Sequence, residues 1–388
     1  FIAMIYLDNA ATSFPKPARV VDAMTEFARE IGANPGRSGH RLSVEAGRTI
    51  YDAREALASL FKIRDPLRVI FTANATVGLN QALLGLLSAG DRVVTSGMEH
   101  NSVMRPLRFL EASGIRVATV PCSSQGLLDP DELRRTLSER TAMVVVNHGS
   151  NVNGCIQPVR ALGAAAREAG ALFLVDAAQT AGCVEIDMAE DNIDLLAFTG
   201  HKALYGPQGT GGLVLGGRVP VERMRPIVFG GTGSRSEYET QPDFLPDRYE
   251  SGTPNTVGIA GLLEGVRFIL ETGVTAIRRR EDALADVLTE GLAEVNGLRI
   301  FSGSGGSRLP TVSFTGDTLP PDEIGLRLDE EFGVLCRVGL HCSPAAHNTL
   351  GSFPDGTVRL SAGLFTTEEE IRAAIDAVRV IVSEGGAR

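Results

Sequence analysis

Between residues 67 and 215 the sequence alternates short apolar runs with stretches of helical periodicity. Neighbouring parallel strands need a crossover connection, which is usually a helix. The alternation therefore predicts an α/β domain built on a large, mostly parallel sheet. Strands are predicted at 67–71, 92–96, 141–147, 298–301 and 310–315, and helices at 17–31, 44–61, 256–272, 275–295 and 367–383.

The regular alternation stops at the stretch 228–255, which is rich in glycine and contains three prolines. Irregular segments of this length inside compact enzymes tend to carry function or to contact partners. The short strands and helices that follow indicate a second, smaller α+β domain. We predict a large domain over 21–261 and a small domain formed by 1–20 together with 262–388.

The composition is typical of a globular enzyme, with 43% hydrophobic and 22% charged residues. The net charge of −10 argues against general nucleic-acid binding, because it would repel phosphate backbones. Apolar stretches are interrupted before the ~18 residues that a membrane span requires. The five cysteines form no Cys-x-x-Cys pair and no zinc-like cluster, which predicts a cytoplasmic protein without a metal site.

Two charged side chains at predicted strand ends indicate the chemistry. Asp176 terminates the apolar run 171–175, and Lys202 follows the next predicted strand in the sequence Thr199-Gly-His-Lys. Ligands of open α/β sheets lie outside the carboxyl ends of the strands. An aspartate and a lysine there form the pair that pyridoxal 5'-phosphate needs, a partner for the pyridine nitrogen and an amine that binds the aldehyde. The alternatives are a helix N-cap for Asp176 and a surface loop for Lys202.

These residues, together with the segments Tyr6–Thr12 and 359–368, resemble the cysteine desulfurase and selenocysteine lyase family of the class V aminotransferase group. The resemblance covers nearly the whole chain. It implies a fold-type I pyridoxal-phosphate-dependent transferase with a large, mostly parallel sheet of the seven-stranded type. It also implies pyridoxal 5'-phosphate as the cofactor.

The resemblance assigns cofactor contacts to individual positions. His100 would stack on the pyridine ring, Gln179 would reach the O3′ oxygen, and Asn151 would reach O3′ or the substrate carboxylate. The phosphate would be held by residues of this subunit and by Gly231 and Thr253 of the neighbouring subunit, which implies a homodimer with shared active sites. The cofactor residues predicted within one subunit are Thr76, His100, Asn151, Asp176, Gln179, Thr199, His201 and Lys202.

The motif Arg337-Val-Gly-Leu-His-Cys342 resembles the mobile loop that carries the catalytic cysteine of the family. Positive neighbours favour the reactive thiolate, so Cys342 is the predicted nucleophile. Cys336, in an apolar strand-like context, is predicted to be inert. The loop is short, as in group II desulfurases. The predicted substrate-binding residues are Asn9, Asn151, Arg337 and Arg359, of which Arg359 would clamp the carboxylate.

The implied reaction converts L-cysteine to L-alanine, with Lys202 moving the Cα proton and Cys342 receiving the sulfur as a persulfide. A sulfur-acceptor protein, a cluster scaffold or a thiol reductant would then take the sulfur, for iron-sulfur clusters or another thiocofactor. One alternative is a selenocysteine lyase, acting on L-selenocysteine, or another C–S lyase of the same fold. Asn101 and Leu340 stand where histidines are common in the family and keep this alternative open. A further alternative is a catalytically idle, cofactor-binding sulfur scaffold.

Overall fold

A computed structural model describes residues 4–36, 39–137, 140–303 and 308–385. Strands and helices alternate along most of this length. The strands, in chain order, are β1 (Ile5–Tyr6), β2 (Val69–Thr72), β3 (Arg92–Ser96), β4 (Arg116–Val120), β5 (Thr141–Asn147), β6 (Leu172–Asp176), β7 (Leu195–Thr199), β8 (Gly211–Leu215), β9 (Leu298–Phe301), β10 (Thr311–Gly316), β11 (Val334–Leu335), β12 (Arg337–Gly339) and β13 (Thr357–Ser361).

The helices cover both faces of the large sheet and one side of the smaller one. A π-helical turn at Phe27–Ile31 extends the first helix, and a 3-10 turn at Pro66–Arg68 precedes β2. The α-helices are α1 (Ala18–Glu26), α2 (Arg41–Leu60), α3 (Ala75–Leu86), α4 (Asn101–Glu111), α5 (Pro130–Thr136), α6 (Val159–Glu168), α7 (Thr256–Thr272), α8 (Val274–Ala293), α9 (Pro321–Phe332), α10 (Pro344–Leu350) and α11 (Glu368–Gly385).

In the described part of the chain, seven strands form the large sheet in the order β2-β8-β7-β6-β5-β3-β4. β8 runs antiparallel to both of its neighbours, and the other pairs are parallel. Val144, Val145 and Val146 of β5 are fully buried, as expected for a strand covered by helices on both faces. The predicted α/β fold with a mostly parallel sheet is confirmed.

The carboxyl ends of β5, β6 and β7 lie side by side, with Asn147 in register with Asp176, and Asp176 in register with Ala197. Helix α3 packs closely on β8, where a Cβ at Gly78 would lie only 2.9 Å from the carbonyl oxygen of Gly212. A larger residue at Gly78 would push α3 away from the sheet. This close packing places the first turn of α3 next to the carboxyl edge of the sheet.

The smaller sheet is antiparallel, with the order β12-β13-β10-β9 among the described residues. The N-terminal strand β1 pairs with β11, as expected for an N-terminal segment that packs on the small domain. One apolar cluster joins Leu7 to Leu288 of α8, Phe314 and Leu360 of the sheet and Ile375 of α11. The predicted domain boundaries at 20/21 and 261/262 stay predictions.

Element bounds agree closely with those predicted. The strand at 141–147 and the helix at 256–272 match β5 and α7 residue for residue. The strand predicted at 67–71 begins instead at Val69, because Asp65 accepts a hydrogen bond from the amide of Leu67 and starts the 3-10 turn. In the described ranges, no helix combines the length and the apolar character that crossing a membrane requires.

Candidate active site

A cavity of about 250 Å³ opens at the carboxyl edge of the large sheet, between the ends of β5, β6 and β7 and the N-termini of α3 and α4. This is where ligands bind in open α/β sheets. Its wall contains Asn74, Ala75, Thr76, His100, Ser102, Asn147, Gly149, Asn151, Asp176, Ala178, Gln179, Thr199, His201 and Lys202.

Lys202 lies on the turn that follows β7, where its carbonyl accepts a hydrogen bond from the amide of Tyr205. Loss of hydration lowers the pKa of the Lys202 amine to about 8, although the Asp176 carboxylate acts in the opposite direction. A substantial fraction of the amine is therefore neutral near pH 8. A neutral amine is the form that attacks a carbonyl or accepts a proton.

Asp176 ends β6 and is buried. One of its carboxylate oxygens accepts a hydrogen bond from the amide of Ala178 at 2.9 Å. This bond closes a turn after β6, and no helix lies among the described residues between β6 and β7, so the helix N-cap considered from the sequence is not formed. Burial raises the pKa of Asp176, while the Ala178 amide and the Lys202 ammonium act to lower it. A cationic group bound in the cavity would therefore pair with the buried Asp176 carboxylate.

His100 is the N-cap of α4, since its Nδ1 atom accepts a hydrogen bond from the amide of Ser102 at 3.0 Å. The Ser102 hydroxyl lies 2.9 Å from the same Nδ1 and 2.7 Å from the hydroxyl of Thr76. Burial lowers the pKa of His100 to about 4, and the positive charge of Lys202 contributes a smaller part of this decrease. The ring is neutral at pH 7, and because Nδ1 is an acceptor, its proton resides on Nε2.

One end of the cavity is suited to an anion. The first amides of α3 have no partner within the helix and point out of its N-terminus. Nearby, the buried Thr199 hydroxyl and the His201 Nδ1 atom have no hydrogen-bond partner among the described residues. Buried polar atoms rarely stay unsatisfied in a functional protein. Together with Asp176 and Lys202, these groups fit a phosphorylated aldehyde with a protonated ring nitrogen, such as pyridoxal 5'-phosphate.

Arg359, in the middle of β13, is a large buried side chain beside this cavity. Its guanidinium forms an ion pair with Asp8 at 2.5 Å and donates to the backbone carbonyl of Asn151 at 2.9 Å. The Gln179 amide donates to the carbonyl of Ala10, which ties the N-terminal segment to the cavity wall. Asn9 borders a smaller adjoining cavity that Lys202 also lines.

Cys342 is exposed at the tip of a tight turn after β12. His341 and Cys342 both have left-handed backbone conformations, with φ of 48° and 59°. The Cys342 carbonyl accepts a hydrogen bond from the amide of Asn101, and its sulfur lies 3.9 Å from the guanidinium of Arg337. The thiol is accessible and has a cation beside it, which is the setting of reactive cysteines.

The other four cysteines are at least partly buried. Burial raises the pKa of Cys122 to about 11 and that of Cys155 and Cys336 to about 12, and it raises the pKa of Cys183 well above its usual value. These thiols stay protonated at neutral pH. Cys342 is therefore the cysteine best placed to act as a nucleophile among the described residues.

The structure brings most of the predicted cofactor residues together at the cavity wall, but two of them lie apart. Gly231 and Thr253 are exposed and are absent from the cavity wall, and a hydrogen bond from Gly252 to Gly231 joins their two segments. Asp8 and Ser102 were not singled out from the sequence. Asp8 stands in the segment Tyr6–Thr12 directly before Asn9, a predicted substrate residue, and this adjacency was the available signal.

The family model described as aminotransferase class-V matches residues 5–373. A probable cysteine desulfurase of Methanothermobacter thermautotrophicus is 33% identical over 387 residues, which covers 98% of this chain and 95% of that protein. A cysteine desulfurase of Haloferax volcanii is 32% identical, with 97% and 88% covered.

Solved structures give the same result. The apo structure of a cysteine desulfurase from Thermococcus onnurineus superimposes with a TM-score of 0.90 at 32% identity, covering 98% of this chain and 95% of that one. The cysteine desulfurase CsdA of Escherichia coli, solved as an S-sulfonic acid form, superimposes with a TM-score of 0.87 at 28% identity and the same coverage.

Proposed function

The chain belongs to the class V aminotransferase family, and from this premise we propose that it is a cysteine desulfurase that converts L-cysteine to L-alanine and takes the sulfur onto Cys342. The family resemblance and the fold-type I architecture predicted from the sequence are confirmed. The names of the relatives favour this activity over a selenocysteine lyase. The observation that carries the proposal is the exposed Cys342 thiol, held beside Arg337 on a turn fastened to the cavity wall.

The sulfur step balances without an external oxidant. The Cys342 thiolate attacks the substrate sulfur, the Cβ–S bond breaks, and a new S–S bond forms on Cys342. The electron pair of the broken bond stays with the three-carbon product, which is protonated at Cβ and leaves as alanine. Substrate carbon is reduced, and the two sulfur atoms share the oxidation as a persulfide.

Pyridoxal 5'-phosphate is the proposed cofactor. Asp176 would hold its pyridine nitrogen, His100 would cover its ring, and Thr199, His201 and Thr76 would bind its phosphate. When bound, this cofactor accepts electron density from the substrate Cα, which allows the Cα proton to leave. Lys202 would hold the aldehyde and would move that proton, and its pKa of about 8 is suited to proton transfer near neutral pH.

Arg359 is the proposed site for the carboxylate of L-cysteine, with Arg337 as a second cation at the same entrance. A guanidinium binds a carboxylate through two parallel hydrogen bonds. Asp8 already binds one edge of the Arg359 guanidinium, and the Arg359 Nε atom is buried with no partner among the described residues. Asp8 thus orients the guanidinium, while part of its donor set remains for a ligand.

We also propose that the protein forms a homodimer through the segment 228–255. Val228, Phe229 and Tyr238 are large apolar or aromatic side chains that are mostly exposed on the segment 228–255. Exposed patches of this kind mark interaction sites. With Gly231 and Thr253 on the same segment, a second copy of the chain would place these residues at the phosphate end of its partner's cavity.

The fate of the sulfur and the location of the protein stay predictions. An exposed Cys342 persulfide is open to a sulfur-acceptor protein or a thiol reductant. The five cysteines form no disulfide among the described residues, which suits a reducing compartment such as the cytoplasm.

The proposed activity is tested by measuring alanine release from L-cysteine in the presence of a thiol reductant. Wild-type protein should release alanine and sulfide in equal amounts, and Cys342→Ala should abolish both. Cys336→Ala is the matched control, because it removes a thiol six residues away that burial keeps protonated, and it should retain activity. Activity on L-selenocysteine that survives Cys342→Ala, with none on L-cysteine, would establish the lyase instead.

A further inference from the structure

The side-chain amide of Asn151 is engaged with the loop that carries Cys342. Its Nδ2 atom donates to the carbonyl of His341 at 2.7 Å, and its Oδ1 atom accepts from the hydroxyl of Ser343 at 2.8 Å. These two partners flank Cys342 in the sequence. One buried amide therefore bridges the residues on both sides of the reactive cysteine.

The same asparagine contacts the proposed carboxylate clamp. The Arg359 guanidinium donates to the Asn151 backbone carbonyl at 2.9 Å. Residue 151 thus lies between the cation that would bind the substrate carboxylate and the turn that would deliver the thiol. The distance between the Arg359 guanidinium and the Cys342 turn therefore depends on the hydrogen bonds that Asn151 makes with each of them.

The turn needs such an anchor because its backbone conformation is unfavourable. Two consecutive residues other than glycine, His341 and Cys342, have positive φ. The left-handed conformation is unfavourable for residues other than glycine, so the surrounding contacts must enforce it. Besides Asn151, these contacts are the bond from the Asn101 amide to the Cys342 carbonyl and the 2.9 Å contact of His341 Nε2 with the Thr357 hydroxyl.

We propose that Asn151 is a positioning residue for Cys342, whose side-chain amide holds the strained 341–343 turn at a fixed distance from Arg359. Its part in the reaction rests on the desulfurase function proposed above. The amide retains one N–H and one lone pair after these two bonds. The anchoring of the turn is thus compatible with a further contact of Asn151 to a bound ligand.

The direct test is hydrogen exchange, followed by mass spectrometry, on the protein without cofactor. Asn151→Ala should speed exchange in peptides that contain the amide of Ser343, which bonds to the Leu340 carbonyl, and the amide of Asn101. The matched control is Asn153→Ala. Asn153 is a buried asparagine of the same turn, and its amide bonds to Gln125 and Cys155 rather than to the Cys342 loop.

A second variant provides the same test if Asn151→Ala folds poorly. Ser343→Ala removes only the hydroxyl that donates a hydrogen bond to Asn151. It should raise hydrogen exchange in the same peptides to a smaller extent. Unchanged exchange in Asn151→Ala and Ser343→Ala would overturn the proposal. An equal increase in Asn153→Ala would also overturn it, since the effect would then come from general loosening of the 150–155 turn.

Kinetics separates positioning from binding. With L-cysteine, Asn151→Ala should lower kcat about 10- to 100-fold, as expected when a reacting group is displaced by about 1 Å, with little change in KM. Asn153→Ala should change neither. A raised KM with unchanged kcat would make Asn151 a substrate ligand only and contradict the positioning role. Hydrogen exchange is measured without turnover. Its result therefore tests the anchoring of the 341–343 turn even if the protein is not a desulfurase.

Discussion

The Asp8 carboxylate lies 2.5 Å from the Arg359 guanidinium, although the two residues are separated by almost the whole chain. The Arg359 side chain is 1% exposed and that of Asp8 is 21% exposed. The pair joins the segment after β1 to the middle of β13 and orients the cation that we assign to the substrate carboxylate. The N-terminal segment therefore contributes to the proposed active site, and its Leu7 also belongs to the apolar cluster that covers the smaller sheet.

Asp8→Ala should destabilise the fold, because it leaves the buried charge of Arg359 without its partner. Removal of one member of a buried pair costs about 3 kcal/mol of the free energy of unfolding. A small monocarboxylate such as propionate should bind the vacated guanidinium and restore part of the lost thermal stability. Wild-type protein should respond to propionate less than the variant does.

The control for Asp8 is Glu271→Ala, which removes one of the two carboxylates paired with Arg19 on the protein surface. Such exposed pairs contribute little, so neither stability nor the response to propionate should change. If Asp8→Ala were as stable as the wild type and indifferent to propionate, the assigned role of Arg359 would be wrong.

Lys202 should form an imine with added pyridoxal 5'-phosphate at a rate that rises as the pH increases through about 8. Burial lowers the pKa of this amine from its usual value near 10.5, and only the neutral amine attacks the aldehyde. Stopped-flow absorbance on protein stripped of cofactor measures the rate. Lys202→Ala should abolish the absorbance change.

Lys16 offers a strict control for this measurement, because burial also lowers its pKa to about 8. Lys16→Ala should keep the imine absorbance and its pH dependence. Persistence of the absorbance in Lys202→Ala, together with its loss in Lys16→Ala, would transfer the assignment to Lys16.

Glu99→Gln should become more stable relative to the wild type as the pH rises. Glu99 is fully buried, accepts bonds from the Ser96 hydroxyl and the Asn147 amide, and has its Oε2 atom without a partner among the described residues. Burial raises its pKa to about 8, so the folded state holds a proton that the unfolded state releases above pH 4.5. The stability of the wild type therefore falls from about pH 4.5 to pH 8.

Urea unfolding of the cofactor-free protein at pH 5.5 and 7.5 measures this difference. The free energy of unfolding of Glu99→Gln, relative to the wild type, should increase by about 1 kcal/mol per pH unit across this interval. Glu132→Gln, on the exposed face of α5, should show no such trend. A difference between Glu99→Gln and the wild type that stays constant with pH would show that Glu99 is ionised in the folded protein.

Phe229→Asp should weaken the proposed homodimer, because Phe229 is 70% exposed in the single chain and lies on the segment assigned to the interface. Sedimentation velocity over a range of concentrations would detect the shift toward monomer. Val380→Asp, on the exposed face of α11, is the control and should leave the assembly unchanged. A variant Phe229→Asp that remains dimeric would place the interface elsewhere.

Local pattern was sufficient to predict the strands and helices that build the site. The run 141–147 is apolar enough to be a buried strand, and a polar residue ends it at the sheet edge. Asp176 and Lys202 follow neighbouring strands, so their convergence at one edge follows from parallel topology. These predictions depend on short-range periodicity and on one topological rule.

The contacts that complete the site could not be predicted in this way. Asn151 follows β5 of the large sheet and Ser343 follows β12 of the smaller one, so the two meet only when these sheets pack together, and nothing in either local sequence encodes their hydrogen bond. Ser102 follows His100 by two residues, but its link to Thr76 requires the N-termini of α3 and α4 to lie side by side. Such tertiary pairings depend on packing between distant segments.

The most direct test of the persulfide mechanism is the mass of the peptide that contains Cys342, measured after brief incubation of the cofactor-loaded protein with L-cysteine in the absence of reductant. Cys342 should gain the mass of one sulfur atom, which a thiol reductant should remove, and one alanine should appear per modified chain. Alanine release without any sulfur on Cys342, or with the added sulfur on another cysteine, would contradict this mechanism.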